Sequence, residues 1–312
     1  MKIVFLDEKS IGSDIDLSGF ERFGTVVKYN IYDPKEVKDK IVDADIIIVN
    51  KMPVNEETIG EAKNLKLVCV TATGTNNLDK EYLEKRGIEW RNVAGYSTNS
   101  VAQHTFAMLF YLLEKLPYYD DYVKSEKYIN DSSFTHFDER FEELAQLTWG
   151  IIGLGTIGKK VADIAKLFGC RVIYYSTGGN HDEEGYERCS FDELLEQSDI
   201  VSVHAPLNEK TENLMDYSAF KKMKKTAIFL NVGRGPIVVE EDLYRALNEG
   251  LIASAGLDVL RKEPMSADNP LKNIKDSKKL LITPHIAWAA VGARVRLMDI
   301  IQKQVEEFIN QS

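Results

Sequence analysis

Trp149-Gly150-Ile151-Ile152-Gly153-Leu154-Gly155-Thr156-Ile157-Gly158 decides how the rest of this chain is read. A short apolar run ends in G-x-G-x-x-G, and Ile157, Val161, Ile164, Ala165 and Phe168 then repeat at helical spacing. The motif alone is a common accident. Between a strand and an amphipathic helix it is a dinucleotide fingerprint. Gly153 permits the tight turn, Gly155 lets the backbone approach a pyrophosphate, and Gly158 lets helix and strand pack closely. The phosphates would sit on unpaired N–H groups where the helix begins, at Thr156 and Ile157. Such a fingerprint usually opens its domain, and here about half the chain precedes it, so a further domain must come first.

The residues on either side agree with that division. The first hundred alternate β-branched runs (Ile3–Leu6, Thr25–Tyr29, Asp45–Val49, Leu67–Thr71 and the weaker Ile88–Arg91) with the helix-like segments Pro34–Val42, Glu56–Lys63 and Leu78–Lys85. Alternation of this kind gives parallel strands with crossover helices. Asn99–Leu116 is apolar nearly all round and has to be buried. Pro117 and a long connection to Thr148 follow, with Tyr118, Tyr119, Tyr122, Phe134, Phe137 and Phe141; so many aromatics point to packing on a partner. From Trp149 the alternation resumes, with strands expected at Trp149–Ile152, Arg171–Tyr175, Ile200–His204, Ala227–Asn231, Ser254–Asp258 and Leu280–Thr283. Val291–Ile309 reads as a last helix that returns to the first domain. The expected fold is therefore α/β with two Rossmann-like domains: a flavodoxin-like outer domain (residues 1–98 plus 287–312) and an inserted dinucleotide-binding domain (residues 99–286).

Composition narrows the function. The chain has 312 residues, 44% apolar and 28% charged, and a formal net charge of −10. That charge argues against nucleic acid or an anionic membrane surface as partner. Lys221-Lys222-Met223-Lys224-Lys225 reads as a solvated helix end. Cys69, Cys170 and Cys189 are odd in number and lack metal spacing, which favours a reduced, cytoplasmic setting and no metal site. The apolar start, Met1 to Leu6, is too short for a signal peptide.

Three residues of the types that anionic redox chemistry needs follow expected strands: Arg234 in Asn231-Val232-Gly233-Arg234-Gly235-Pro236, Glu263 before Pro264, and His285 after Pro284. A guanidinium can bind the carboxylate and carbonyl of a 2-keto acid together. An imidazole can donate a proton near neutral pH, and a carboxylate beside it favours the protonated form and fixes the ring. Any one of them alone would read as a surface or turn residue. The acid expected about twenty residues past the fingerprint, where it would bind ribose, is missing: Ser176 stands there, followed by Thr177-Gly178-Gly179-Asn180. NAD is the expected cofactor, although nothing there repels a 2′-phosphate and no adjacent Arg clamps one.

Taken with Thr73-Gly74-Thr75-Asn76-Asn77, Asn99-Ser100-Val101-Ala102, Gly256-Leu257-Asp258-Val259 and Pro284-His285, the chain resembles the D-isomer-specific 2-hydroxyacid dehydrogenases, whose relatives include glycerate dehydrogenases and hydroxypyruvate reductases. The resemblance implies that Arg234 anchors the substrate, His285 is the acid/base and Glu263 its partner. It implies that amides near Thr73 and Gly74 hold the substrate carboxylate, and that Ala205, Pro206, Val232, Gly233 and Asp258 line the cofactor beside Arg234 and His285. It also implies a homodimer through the cofactor domains. Trp288, where small residues are common, either narrows the substrate pocket or packs. His104, His136, His181 and His204 carry no assigned role: His104 reads as a satisfied core residue, and His204, ending a strand next to the cofactor loop, reads as structural, with cofactor contact the alternative. The rival from another class is a dinucleotide-sensing corepressor on the same fold.

Overall fold

The computed structural model describes residues 1–179 and 182–311, so Asn180 and His181 lie outside the described residues. The chain divides into two compact units, Met1–Ser97 with Ala289–Ser312, and Thr98–Trp288.

In the first unit the strands β1 (Lys2–Phe5), β2 (Thr25–Lys28), β3 (Ile46–Val49), β4 (Leu67–Val70) and β5 (Glu89–Arg91) form a parallel sheet in the order β2-β1-β3-β4-β5. This is the flavodoxin-like order. β3 (Ile-Ile-Ile-Val) and β4 (Leu-Val-Cys-Val) are buried throughout, as central strands covered on both faces must be. Two expected helices are shorter or tighter than their patterns suggest. The Glu56–Lys63 segment supplies only α1 (Glu56–Ile59), opened by an Asn55–Thr58 capping box and ended at Gly60, a poor helix former. Pro34–Val42 winds as two 3-10 turns, Pro34–Glu36 and Lys38–Lys40, although Val37 and Ile41 are both buried as the spacing requires. α2 spans Lys80–Lys85 under an Asp79 cap.

The second unit opens with α3 (Thr98–Leu113), whose Val101, Ala102, Thr105, Met108, Leu109 and Leu112 are buried. The helix does not run on to Leu116. Lys115 takes a left-handed conformation (φ 54°) and a new helix, α4 (Leu116–Lys124), starts with Pro117 in its first turn, where a missing N–H costs nothing. The expected aromatic connection is therefore partly helical. β6 (Thr148–Ile152) leads into α5 (Thr156–Leu167), followed by β7 (Arg171–Tyr175), β8 (Glu187–Arg188), α6 (Phe191–Gln197), β9 (Ile200–Val203), α7 (Tyr217–Lys222), β10 (Ile228–Asn231), α8 (Glu240–Glu249), β11 (Ser254–Leu257) and β12 (Leu280–Ile282). The parallel sheet runs β12-β11-β10-β9-β6-β7-β8. Counted from β6, that is the dinucleotide-binding order with one strand added at the end. The two-residue edge strand β8 has too little pattern to be read from sequence.

Strand alternation sends Trp149, Ile151, Ile228 and Leu230 to the face covered by α3 and α5, and Val201, Val203 and Phe229 to the other. The α5 stripe is corrected: Gly158, Val161, Ala162 and Ala165 are buried, whereas Phe168 is half exposed and stacks on Phe106 at 5.7 Å. Lys222 and Lys224 pair with Asp192 (2.6 Å) and Asp199 (2.8 Å). The final helix, α9 (Val291–Gln311), belongs to the first unit. There Arg294 grips Asp14 with both nitrogens (2.6 and 2.8 Å), and Gln304 bonds Asn92 and Arg91 through side chain and carbonyl.

Candidate active site

β10, β11 and β12 are neighbours, and the loops leaving their carboxyl ends carry Arg234, Glu263 and His285 in that order. Buried Asn231 closes the first loop: its side chain accepts from Gly233 N and donates to Arg234 O, both at 3.0 Å. The half-buried Arg234 guanidinium makes one hydrogen bond, to the carbonyl of Gly233 (2.8 Å), and no ion pair among the described residues. Gly235 packs so closely on the second loop that a Cβ there would strike the backbone of Leu260 and Arg261. Glu240 fixes that second loop further, accepting from Arg261 N (2.7 Å) and Asn269 Nδ2 (2.8 Å). No motif announced Glu240; its role exists only once α8 meets the loop.

Glu263 accepts from Leu260 N through Oε1 (3.0 Å) and meets His285 Nδ1 through Oε2 (2.6 Å). An ionised carboxylate only accepts, so Nδ1 carries the proton and Nε2 is the end left to act. His285 itself is held at φ 57°, in the left-handed region, which for a residue with a Cβ costs about 1–2 kcal/mol. Neighbours have to impose that conformation. His285 N bonds the carbonyls of Asp258 (2.8 Å) and Thr283 (3.0 Å). The buried Asp258 carboxylate accepts from the next two amides, Ile286 and Ala287 (both 2.9 Å), and from the Thr283 hydroxyl (2.6 Å). Burial pushes this carboxyl up, but the donors from His104, Thr283, Ala287 and Ile286 together outweigh it and hold Asp258 below the usual range.

The cofactor candidates gather where β6 and β9 adjoin and the strand order reverses. Gly153 takes φ 91°, a Cβ at Gly158 would hit the Gly153 carbonyl, and a Cβ at Gly155 would meet only open space. Thr156 begins α5 with Ile157 beside it, Ala205 and Val232 are buried, Pro206 and Gly233 lie on the adjoining loops, and Ser176 follows the last residue of β7. Lys159, in the first turn of α5, is paired with Glu183 (2.5 Å). His204 adds an observation that its sequence position did not supply. Trp149 Nε1 donates to Ser202 Oγ (2.8 Å), and buried Ser202 can pass its own proton only to His204 Nε2 (3.0 Å). Nδ1 then carries a proton and, shut off from solvent, has no partner among the described residues. An unused donor at the crevice, with open space before Gly155, fits a dinucleotide rich in acceptor oxygens.

Other candidates fall elsewhere. Thr73 and Gly74 lie in the first unit, where the Thr73 hydroxyl donates to Val93 O (3.0 Å) and its carbonyl accepts from Asn92 (2.6 Å). Trp288 is half-buried against the cluster under α3. His104, expected as a satisfied core residue, is half-buried and finds its partner in Thr283 Oγ1 at 3.0 Å. His136 sits in an aromatic stack, 3.7 Å from Tyr122, and bonds the Tyr118 hydroxyl (2.7 Å). No His, Cys, Asp and Glu grouping among the described residues could hold a metal ion.

Comparison with known proteins matches residues 106–287 to the NAD-binding domain of D-isomer-specific 2-hydroxyacid dehydrogenases. The chain belongs to that family. It is 38% identical to a hydroxypyruvate reductase of Blautia hydrogenotrophica over 100% of this chain and 98% of the relative. Among solved structures, the D-lactate dehydrogenase of Aquifex aeolicus, complexed with NAD and lactic acid, superimposes with a TM-score of 0.85 at 28% identity, covering 99% of this chain and 96% of that one. The acyclic imino acid reductase Bsp5, in complex with NADPH and D-Arg, gives 0.87 at 28% identity, with 100% and 98% covered. This 2-hydroxyacid dehydrogenase is thus an oxidoreductase that moves hydride between a nicotinamide dinucleotide and a 2-hydroxy acid/2-keto acid pair, and the corepressor reading is not favoured.

Burial pushes the His204 imidazole down to about 3 from 6.5. The folded protein keeps it neutral where an unfolded chain protonates it, so stability falls as pH drops below 6.5, by roughly 1.4 kcal/mol per pH unit. His204→Gln should flatten the decline of Tm with acidification, recovering about 2 kcal/mol at pH 5. An unchanged slope would show that His204 does not carry the penalty.

Proposed function

We propose that the enzyme reduces a small 2-keto acid, hydroxypyruvate first among candidates, to the D-2-hydroxy acid, with Arg234, Glu263 and His285 as its working side chains. The observation that carries the reading is the 2.6 Å Glu263–His285 pair on the loop next to a guanidinium that has no carboxylate partner among the described residues. Hydride chemistry is supplied by the reduced nicotinamide when it is bound. Arg234 engages the substrate carboxylate and carbonyl oxygen, making the keto carbon more electrophilic. As that carbon gains hydride, its oxygen gains the proton held on His285 Nε2; Glu263 orients the ring and stabilises the cationic form before transfer. The reverse direction removes proton and hydride from the hydroxy acid.

The same reading gives Thr73 and Gly74 amides to the substrate carboxylate, and Gly153, Gly155, Thr156, Ile157, Gly158, Ser176, Ala205, Pro206, Val232 and Gly233 to the cofactor. The reading also gives Asp258 to the cofactor lining, its buried carboxylate already accepting from Thr283, Ile286 and Ala287 and so holding the loop beside the nicotinamide. Trp288, packed on the core, shapes the pocket wall from behind. The substrate choice is supported by the hydroxypyruvate reductase relative, and the NAD preference by the lack of a clamping Arg at Ser176–Gly179, with Lys159 already paired.

A homodimer through the second unit is supported by its apolar arm. Phe134, Phe137 and Ile129 are 88%, 78% and 74% exposed, and a cleft of about 730 Å³ beside them is lined by Leu116, Tyr119, Phe137 and Phe141 among others. So much exposed aromatic surface is covered, in this reading, by a second copy. Three unbonded cysteines support a reducing, cytoplasmic setting, and no described helix is long and apolar enough to cross a membrane.

Steady-state kinetics with hydroxypyruvate, glyoxylate, pyruvate and phenylpyruvate, each with NADH and NADPH, test the core of this. Hydroxypyruvate with NADH should give the highest kcat/KM; a strong preference for NADPH would reverse the cofactor assignment. His285→Gln should abolish turnover while NADH still binds, and Arg234→Gln should cost about 10²-fold or more in kcat/KM. Glu263→Gln removes the charge that favours the protonated imidazole, so the pH profile of reduction should move toward acid; an unmoved profile would dissolve the pair. Wild-type protein should sediment as a dimer and Phe134→Glu/Phe137→Glu as a monomer, and a monomeric wild type would end the dimer assignment.

A further inference from the structure

The His285 loop is gripped at both ends by one helix. Ser100 Oγ donates to Ala287 O (2.6 Å), and His104 Nε2 meets Thr283 Oγ1 (3.0 Å). Residues 100 and 104 are one turn apart on α3 and so lie on one face. Residues 283 and 287 flank the catalytic histidine by two positions on either side. α3 is a rigid support for this purpose, since its apolar residues are locked into the core against β10, β11 and β12.

Proton accounting gives the grip a direction. The Thr283 hydroxyl has one proton, and the 2.6 Å contact with Asp258 Oδ1 uses it. Its oxygen must then accept from His104, so Nε2 of His104 carries a proton. The chain runs His104 N–H to Thr283 O–H to Asp258, and ends on a carboxylate that can only accept. His104 Nε2 also lies 3.5 Å from Asp258 Oδ1, near enough to favour the ionised form directly. An ionised Asp258 is what the amides of Ile286 and Ala287 require, and those two bonds together with His285 N fix the backbone at φ 57°.

We propose that α3 is the positioning element of the reaction: Ser100 and His104 clamp the 283–287 loop, and the His104–Thr283–Asp258 chain holds the His285 imidazole in its working orientation. His104 and Thr283 are positioning residues, acting through Asp258 and the loop backbone. The inference rests on the reading of His285 as the proton donor. Its magnitude follows from geometry, because displacing an acid by about 1 Å costs up to about 10²-fold in rate.

The test uses the full chain, NADH and whichever keto acid of the panel is turned over fastest. His104→Leu and Thr283→Val remove the donor at each link with little change of volume. Each should lower kcat by about tenfold or more while KM for the keto acid and the NADH dissociation constant, read by fluorescence, change less than about twofold. His104→Gln and Thr283→Ser restore a donor and should recover kcat to within about threefold of wild type, which generic loosening of the fold would not allow. The double variant His104→Leu/Thr283→Val should be no worse than the slower single one, because both cut the same chain. If His104→Leu proves too unstable to assay, the Thr283→Val and Thr283→Ser pair decides alone. Wild-type kcat in His104→Leu or Thr283→Val, or failure of both conservative variants to rescue a folded enzyme, would overturn the proposal. Loss of turnover in His285→Gln alongside that result would leave the acid/base reading standing, whereas full activity in His285→Gln would remove the reading on which both depend.

Discussion

A carboxylate buried at the end of β11 governs the active edge of the second unit. Leaving Asp258 unpaired inside the protein would cost several kcal/mol, so the chain must bring donors to it. Those donors come from one short loop and one helix: the amides of Ile286 and Ala287, the Thr283 hydroxyl and, behind it, His104. A loop that bends to satisfy two adjacent amides on one carboxylate has little freedom left. The left-handed conformation of His285 is the result, and the Glu263 contact becomes possible because the ring is held there. The energy that stabilises a buried charge thus serves to aim the imidazole that we propose as proton donor.

This works because the sheet is parallel. In the register of β10, β11 and β12, Asn231 lies beside Leu257 and Leu257 beside Ile282, so all three strands end at one level. Three loops emerge side by side, and residues far apart in sequence meet with no separate device. Close backbone approach then locks loop to loop, as between Gly235 and Leu260–Arg261. The opposite half of the same edge is left open around Gly155, with the His204 donor unused. One half of the edge is crowded and internally satisfied, the other open with polar capacity to spare, and the proposed catalytic and cofactor-binding residues divide along that line.

Much of this was legible in the residues. Strand positions were readable to within a residue or two because parallel strands buried on both faces are unbroken apolar runs, as in Ile46–Val49 and Leu67–Val70. The fingerprint at Gly153–Gly158 was readable because its glycines answer to local constraints at fixed spacing: a positive φ at Gly153 and close helix–strand approach at Gly158. Errors came where local pattern and tertiary packing part ways. The Pro34–Val42 periodicity buries Val37 and Ile41 without an α-helix. Pro117, expected in the connection after α3, sits in the first turn of a second helix. Phe168 fits the α5 stripe yet stacks outward on α3.

The sequence by itself determined the two-sheet α/β plan, the mid-chain nucleotide motif and the three residue types on which the proposed chemistry rests, since each is written in spacing or in a side chain's own reactivity. Only the tertiary structure decided that Glu263 touches His285, that Asp258 is a donor-saturated anchor, that Glu240 braces its loop and that His104 is wired to Thr283. Such pairings join residues some twenty to 180 positions apart. Nothing in a linear pattern records which polar atoms will share a buried place, because that is settled by the desolvation cost of leaving any of them alone.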